Sequence, residues 1–156
     1  MTELALPKID KKTLDKKDYI FKSLAKLINP EYVLSHKDEI KPYETDGLSA
    51  YKQTPLAVVM PENTKEVSSI LKFCHEENIK VVPRGAGTGL SGGALPLQDA
   101  VLLSLGKFNK ILDIDFENKC VVTQPGVTNL GLTHAVQHKG FYYAPDPSSQ
   151  LACSIG

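Results

Sequence analysis

A chain of 156 residues, 42% hydrophobic and 23% charged, is long enough for one domain with a buried core. Eighteen basic residues balance eighteen acidic ones, so the Lys/Arg excess of a nucleic-acid-binding surface is missing and no nucleic acid partner is expected. No apolar run reaches membrane-spanning length, residues 1–7 lack an apolar secretory core, and Cys74, Cys120 and Cys153 have no Cys-x-x-Cys spacing, which suits reduced cytoplasmic thiols rather than a disulfide or zinc framework.

Residues 8–28 are Lys-rich, with Ile20, Phe21, Leu24, Leu27 and Ile28 at helical spacing. Thr13 is the expected cap and Pro30 the stop of an amphipathic helix, one that lies on its own domain rather than docking elsewhere, because Asp15 and Asp18 dilute its basic face. Residues 31–54 read as irregular, punctuated by Pro42 and Gly47. Leu56 to Met60 is a short apolar strand closed by Pro61. Asn63 with Glu66 makes a capping-box pattern, and Val67, Ile70, Leu71 and Cys74 follow on one helix face, with Asn78 as a left-handed end. Lys80 to Pro83 is the next strand. Strand, helix and strand over this span predict a βαβ unit with a parallel pair.

Five of the eleven glycines and the only arginine then fall in Pro83-Arg-Gly-Ala-Gly-Thr-Gly-Leu-Ser-Gly-Gly93. Glycines at this density let backbone N–H groups curl around an anion, with a diphosphate the natural guest. Gly87-Thr-Gly89-Leu-Ser-Gly92 matches G-x-G-x-x-G, but a Rossmann nicotinamide site needs a helix to start at the loop. Gly93 and Pro96 argue against one, and no Lys-Ser or Lys-Thr completes a P-loop. A loop nest is therefore expected, with Thr88 and Ser91 as hydroxyl donors and Arg84 as a fixed cation that equally suits a carboxylate partner.

Strands are expected at Val101 to Leu105, Lys110 to Ile114 and Lys119 to Thr123, the last two as a hairpin around residues 115–118. Gln124-Pro-Gly126 breaks the sheet. Thr128 caps a helix reaching Lys139, with Leu132, Ala135 and Val136 inward and Gly140 as its stop. Residues 144–150 read as extended or turn-like. The fold class is α+β: a small mixed sheet with a βαβ unit and flanking helices. His134 and His138 have the i, i+4 spacing of metal ligands, but no Glu lies between them and no third ligand is placed, so an exposed helix face is expected and no metal. His75, beside Glu76 and Glu77, reads as solvated surface, and Cys153 as a small packing residue rather than a nucleophile.

The glycine loop resembles the pyrophosphate loop of the FAD-binding domain shared by vanillyl-alcohol oxidase-type flavoproteins, the p-cresol methylhydroxylase-type domain. Ala144-Pro-Asp-Pro-Ser-Ser-Gln-Leu-Ala-Cys-Ser-Ile-Gly156 resembles the stretch that wraps the flavin in that family, and Val122-Thr-Gln-Pro-Gly-Val127 resembles the turn behind the isoalloxazine. Tyr43 to Tyr51 and Tyr142 to Gln150 look most like the glycolate oxidase-type flavin subunits, with D-lactate and D-2-hydroxyglutarate dehydrogenases as near kin. The resemblance covers residues 43–156, and residues 1–42 are expected to form an N-terminal helical segment before it. It implies non-covalent FAD, because residues 84–96 contain no His. It puts Arg84, Gly85, Ala86, Gly87, Thr88, Gly89 and Ser91 at the diphosphate, Pro125 and Gly126 near the flavin, and Pro145, Asp146, Ser149, Cys153, Ile155 and Gly156 in a second wall. The implied parent oxidises a small 2-hydroxy acid such as glycolate or D-lactate, passes electrons to other oxidase subunits or an acceptor, and works in the cytoplasm, with a peripheral place at the inner membrane also open. The chain reads as the N-terminal portion of such an enzyme: no catalytic residue is assigned, the substrate domain is expected to be absent, and a non-catalytic folded or interaction module is the alternative.

Overall fold

A computed structural model describes residues 7–156; the reading of the extreme N-terminus as lacking a secretory segment lies outside them. The helical pattern at the N-terminus forms two helices, α1 (Lys11–Asp15) and α2 (Lys17–Leu27), with a break at Lys16. The cap is Asp10, not Thr13. The Asp10 carboxylate accepts from Lys12 N at 3.0 Å and from Thr13 Oγ1 at 2.9 Å, so the hydroxyl meant to cap the helix donates to the residue that does. Ile20 and Leu24 of α2 are buried, which places the helix on its own domain as expected.

The segment expected to be irregular holds more order than its punctuation suggests. A 3-10 turn at Pro30–Tyr32 leads into strand β1 (Val33–Leu34), a short helix α3 (Lys37–Ile40) follows, and a second 3-10 turn spans Lys41–Tyr43. Two residues are too few for an alternation signal; β1 is fixed by pairing, Val33 opposite Val59 and Leu34 opposite Val58, antiparallel on strand β2 (Ala57–Val59).

Helix α4 (Thr64–Glu76) starts where the Asn63 side chain accepts from Glu66 N at 2.9 Å, while the Glu66 carboxylate reaches back to Glu62 N at 2.8 Å, one residue beyond a regular capping box. Ile70 and Cys74 of its apolar face are buried; Leu71, counted on that face, is instead 44% exposed. Asn78 takes the left-handed conformation that ends the helix, φ 55°. Strand β3 (Lys80–Arg84) follows and lies parallel to the sheet, but not beside β2. Strand β4 (Ala100–Ser104) inserts between them, parallel to both, giving the order β1-β2-β4-β3. All five residues of β4 are buried, as a central strand covered on both faces requires. Ile20, Leu24, Ile28, Val33, Ile70, Cys74, Val101 and Leu103 share one core, so the N-terminal helices seal the same sheet that carries the glycine loop.

Strands β5 (Ile111–Asp115) and β6 (Cys120–Thr123) form the expected hairpin, its turn closed by Asp115 accepting from Asn118 N at 2.9 Å and by Lys119 at φ 55°. They build a separate two-stranded sheet rather than extending the first. Thr128 caps helix α5 (Asn129–Val136), accepting from Gly131 N at 3.1 Å. The last turn, Gln137–Lys139, tightens to 3-10 before Gly140 stops it at φ 77°. The result is the α+β class, a small mixed sheet with flanking helices.

Candidate functional site

Residues 85–99 run from β3 to β4 with no helix, so the geometry that a Rossmann loop needs is missing here. Gly87 sits at φ +71°, a conformation that L side chains rarely adopt, and the Arg84 guanidinium occupies the space its side chain would need. Gly89 and Gly93 differ: both face open space, so no protein neighbour requires them to lack a side chain. Among the described residues, no backbone N–H from Gly87 to Gly93 donates to a protein acceptor, and the hydroxyls of Thr88 and Ser91 have no protein partner. A run of unclaimed donors beside glycines that face outward is what a bound diphosphate would satisfy.

The other two motifs meet this loop. Ala86 N donates to Ser154 Oγ at 3.0 Å, and Ser154 Oγ donates to Gly156 O at 3.0 Å. A side chain at Gly85 would strike Ser154 Oγ and Gly156 O. Gly156 N donates to Pro125 O and Ile155 N to Val127 O, each at 2.9 Å. Gly85 and Ala86, Pro125 to Val127 and Ser154 to Gly156 therefore lie together, and Gly126 N is held on Phe108 O at 2.6 Å.

Pro145, Asp146, Ser149 and Cys153 are arranged around the start of α5. Pro145 O accepts from Asn129 Nδ2 at 2.9 Å, Cys153 O from Asn129 N at 3.0 Å, and Gln150 O from Leu130 N at 3.1 Å. Ser149 O holds the turn, accepting from Cys153 N at 2.8 Å. The carbonyls of Cys153 and Gln150 take the Asn129 and Leu130 N–H groups and Thr128 Oγ1 takes that of Gly131, so the first three N–H groups of α5 are not free for an anion. Pro145 and Asp146 are exposed, and among the described residues no hydrogen bond links them to the glycine loop. Cys153 is half-buried.

Arg84 turns away from the open side of the loop. Its Nη1 donates to Thr45 O at 2.6 Å and its guanidinium lies 5.7 Å from the centre of the Tyr43 ring. Burial lowers its pKa from the ordinary value, while the nearby Asp46 carboxylate and Tyr43 push the other way. Asp46 is 6% exposed; one oxygen accepts from Leu48 N at 2.9 Å and the other has no partner. Gly47 packs so closely on the loop that an added Cβ would lie 2.6 Å from Thr88 O and 2.7 Å from Gly89 O. Thr45, Asp46, Gly47 and Ser154 were not among the residues picked from the sequence. The Asp46-Gly47 turn dipeptide was the available signal; its contact with a loop forty residues away was not.

His75, His134 and His138 are exposed on their helices, and among the described residues no group of three or more His, Cys, Asp or Glu is placed to hold a metal. A cleft of about 480 Å³ lies between the β5–β6 hairpin and α5, lined by Phe116, Val121, Leu132, Val136 and Phe141. Of the candidate residues only Ile155 reaches it. No helix among the described residues is long and apolar enough to cross a membrane.

A glycine loop with unclaimed backbone donors, set on a mixed sheet without a Rossmann helix, points to a class, the flavoprotein dinucleotide domains. The family model described as "FAD binding domain" matches residues 55–156, and the chain belongs to that family. It is 48% identical over 152 residues to the glycolate oxidase subunit GlcD of Escherichia coli (strain K12), covering 97% of this chain and 29% of that protein. It is 35% identical over 153 residues to a D-lactate dehydrogenase of Anaerostipes hadrus, covering 97% of this chain and 30% of the relative. Among solved structures, p-cresol methylhydroxylase with substrate bound superposes with a TM-score of 0.70 at 25% identity, over 85% of this chain and 26% of that one. The chain thus spans under a third of the relatives it matches. FAD is the cofactor that family and fold indicate, and the unclaimed N–H groups of the loop fit it.

Proposed function

We propose that this chain is the N-terminal portion of an FAD-linked 2-hydroxy-acid oxidoreductase of the glycolate oxidase type. The observation that carries the reading is the meeting of three separate segments around a loop whose backbone donors face no protein acceptor. Residues 43–156 form the cofactor-binding portion, and the described residues before them, mostly helical but contributing strand β1 to its sheet, pack on it. Gly85, Ala86, Gly87, Thr88, Gly89 and Ser91 cradle the diphosphate non-covalently, with the charge of Arg84 behind them. Pro125 and Gly126, fixed on Phe108, back the ring system. Ile155 and Gly156 close the near wall, and Pro145, Asp146, Ser149 and Cys153 extend it along α5.

When bound, FAD supplies the acceptor for the two electrons a 2-hydroxy acid gives up on becoming a 2-oxo acid. This chain's own residues bind and orient; none is assigned the base or the carboxylate anchor. Glycolate and D-lactate are the proposed substrates of the whole protein, further oxidase subunits or an electron acceptor its partners, and the cytoplasm or the inner face of the membrane its location. The similarity to a protein named as an oxidase subunit supports that partnership.

Titration of the purified chain with FAD, followed by flavin fluorescence, tests the reading, with NAD as the control ligand. Saturable quenching by FAD alone, with no glycolate-dependent dye reduction, is the expected result. Preference for NAD would overturn the family-based assignment of the loop.

A further inference from the structure

We infer that Arg84 and the segment Tyr43 to Leu48 form a brace behind the glycine loop, and that Arg84 is a positioning residue rather than a ligand of the anion. The inference deepens the proposed FAD reading and takes its ligand from it.

Three contacts place the brace. Arg84 Nη1 is committed to Thr45 O at 2.6 Å, a short charge-assisted bond. The guanidinium plane is held near the Tyr43 ring and fills the hollow under Gly87. Gly47 lies against the carbonyls of Thr88 and Gly89, opposite the Gly89 and Leu90 N–H groups of the same two peptide units, because the C=O and N–H of a trans peptide unit point apart. Pushing from Gly47 fixes the direction in which those donors aim. The buried Asp46 carboxylate, next to Thr45 in the chain, makes no salt bridge with Arg84 but favours its charged form. A direct anion contact would need Arg84 to leave Thr45 O and uncover Gly87. The brace therefore predicts that a diphosphate is held by backbone dipoles already aimed at it, with the arginine charge acting through loop shape.

The chain itself provides the test, in variants Gly47→Ala, Arg84→Gln and Arg84→Lys, read by amide hydrogen exchange without ligand and by FAD titration. Gly47 is exposed, so its variant probes the brace even where an arginine variant fails to fold. The brace predicts faster exchange at the Ala86 amide, the loop N–H held on Ser154 Oγ, in Gly47→Ala with an unchanged unfolding midpoint, and FAD binding weakened by about tenfold or more through lost preorganisation. It predicts that Arg84→Lys loses as much affinity as Arg84→Gln, because an ammonium cannot reproduce the planar fork, and that the salt dependence of FAD binding stays at the wild-type slope in both. Rescue by lysine, or a salt slope that flattens when the arginine charge is removed, would show a direct ligand and overturn the inference. Unchanged loop exchange in Gly47→Ala would overturn it whether or not FAD binds; failure of wild type to bind FAD counts against the functional reading alone.

Discussion

Asp99 offers the sharpest test of how the N-terminal helices are fastened to the sheet. Its side chain is 2% exposed and accepts from Lys80 Nζ at 2.6 Å and from Asp10 N at 2.7 Å, joining the start of β4, the start of β3 and the cap of α1. Burial alone would raise the Asp99 pKa. The hydrogen bonds from Lys80 and Asp10 and the charge of Lys80 outweigh it, and the pKa lies below the ordinary carboxylate value. Replacing Asp99 with Ala removes two hydrogen bonds to a charged acceptor, a class of bond worth about 1.5–3 kcal/mol each. Breaking a fully buried pair costs about 3–5 kcal/mol. The Lys80 side chain is 42% exposed, however, so its stranded ammonium rehydrates and the penalty is smaller. A net loss of about 2 kcal/mol follows, which in a chain of this size is a fall in melting temperature of about 4–8 °C. A group with a depressed folded pKa stabilises above its unfolded value and loses that contribution as pH falls through the folded one. The gap between wild type and Asp99→Ala is therefore full at neutral pH and closes as pH drops below 3.8. Thermal unfolding by circular dichroism across this range is the assay. Equal melting temperatures at neutral pH, or a gap that widens on acidification, would refute the reasoning.

Further outcomes follow from single sites. Ile70→Ala in α4 opens a cavity at the fully buried contact with α2 and the sheet, costing about 2–5 kcal/mol in denaturant unfolding. Thr128→Ala removes the cap of α5 and costs about 1 kcal/mol, with no change in the melting of α4 secondary structure expected beyond that loss. Cys74 is buried, and burial pushes its pKa up to about 11, whereas Cys120 is exposed. Alkylation at mildly alkaline pH, mapped by mass spectrometry, should therefore label Cys120 and spare Cys74 until the protein unfolds.

Much of the fold was legible because its signals are local. The α4 face, the left-handed Asn78, the Thr128 cap and the Gly140 stop each depend on residues within one or two turns. The features that were missed depend on partners far along the chain. β1 is two residues long and exists only because β2 offers it an edge. The insertion of β4 between β2 and β3 leaves no trace in periodicity, since a parallel strand reads the same beside either neighbour. A hydroxyl makes Thr13 the natural cap from sequence, but Asp10 sits where its carboxylate reaches both the backbone and that hydroxyl. At the site, the glycines and the absent helix were readable as a loop nest. The grip of Gly47 and Thr45 on it was not, because a glycine in a turn carries no mark of what lies against it.

The position of β4 carries a consequence for how the protein assembles. It is the last strand of its sheet to be made, yet it becomes the centre, so β2 and β3 have no common partner until residues 100–104 arrive. Everything between β3 and β4 is the glycine loop, and its closure and the completion of the sheet are one event. The loop's anchors then open only when the central strand leaves. Its C-terminal anchor is thus tied to the buried central strand, while its tip, with Leu90 74% exposed, keeps the freedom to receive a ligand.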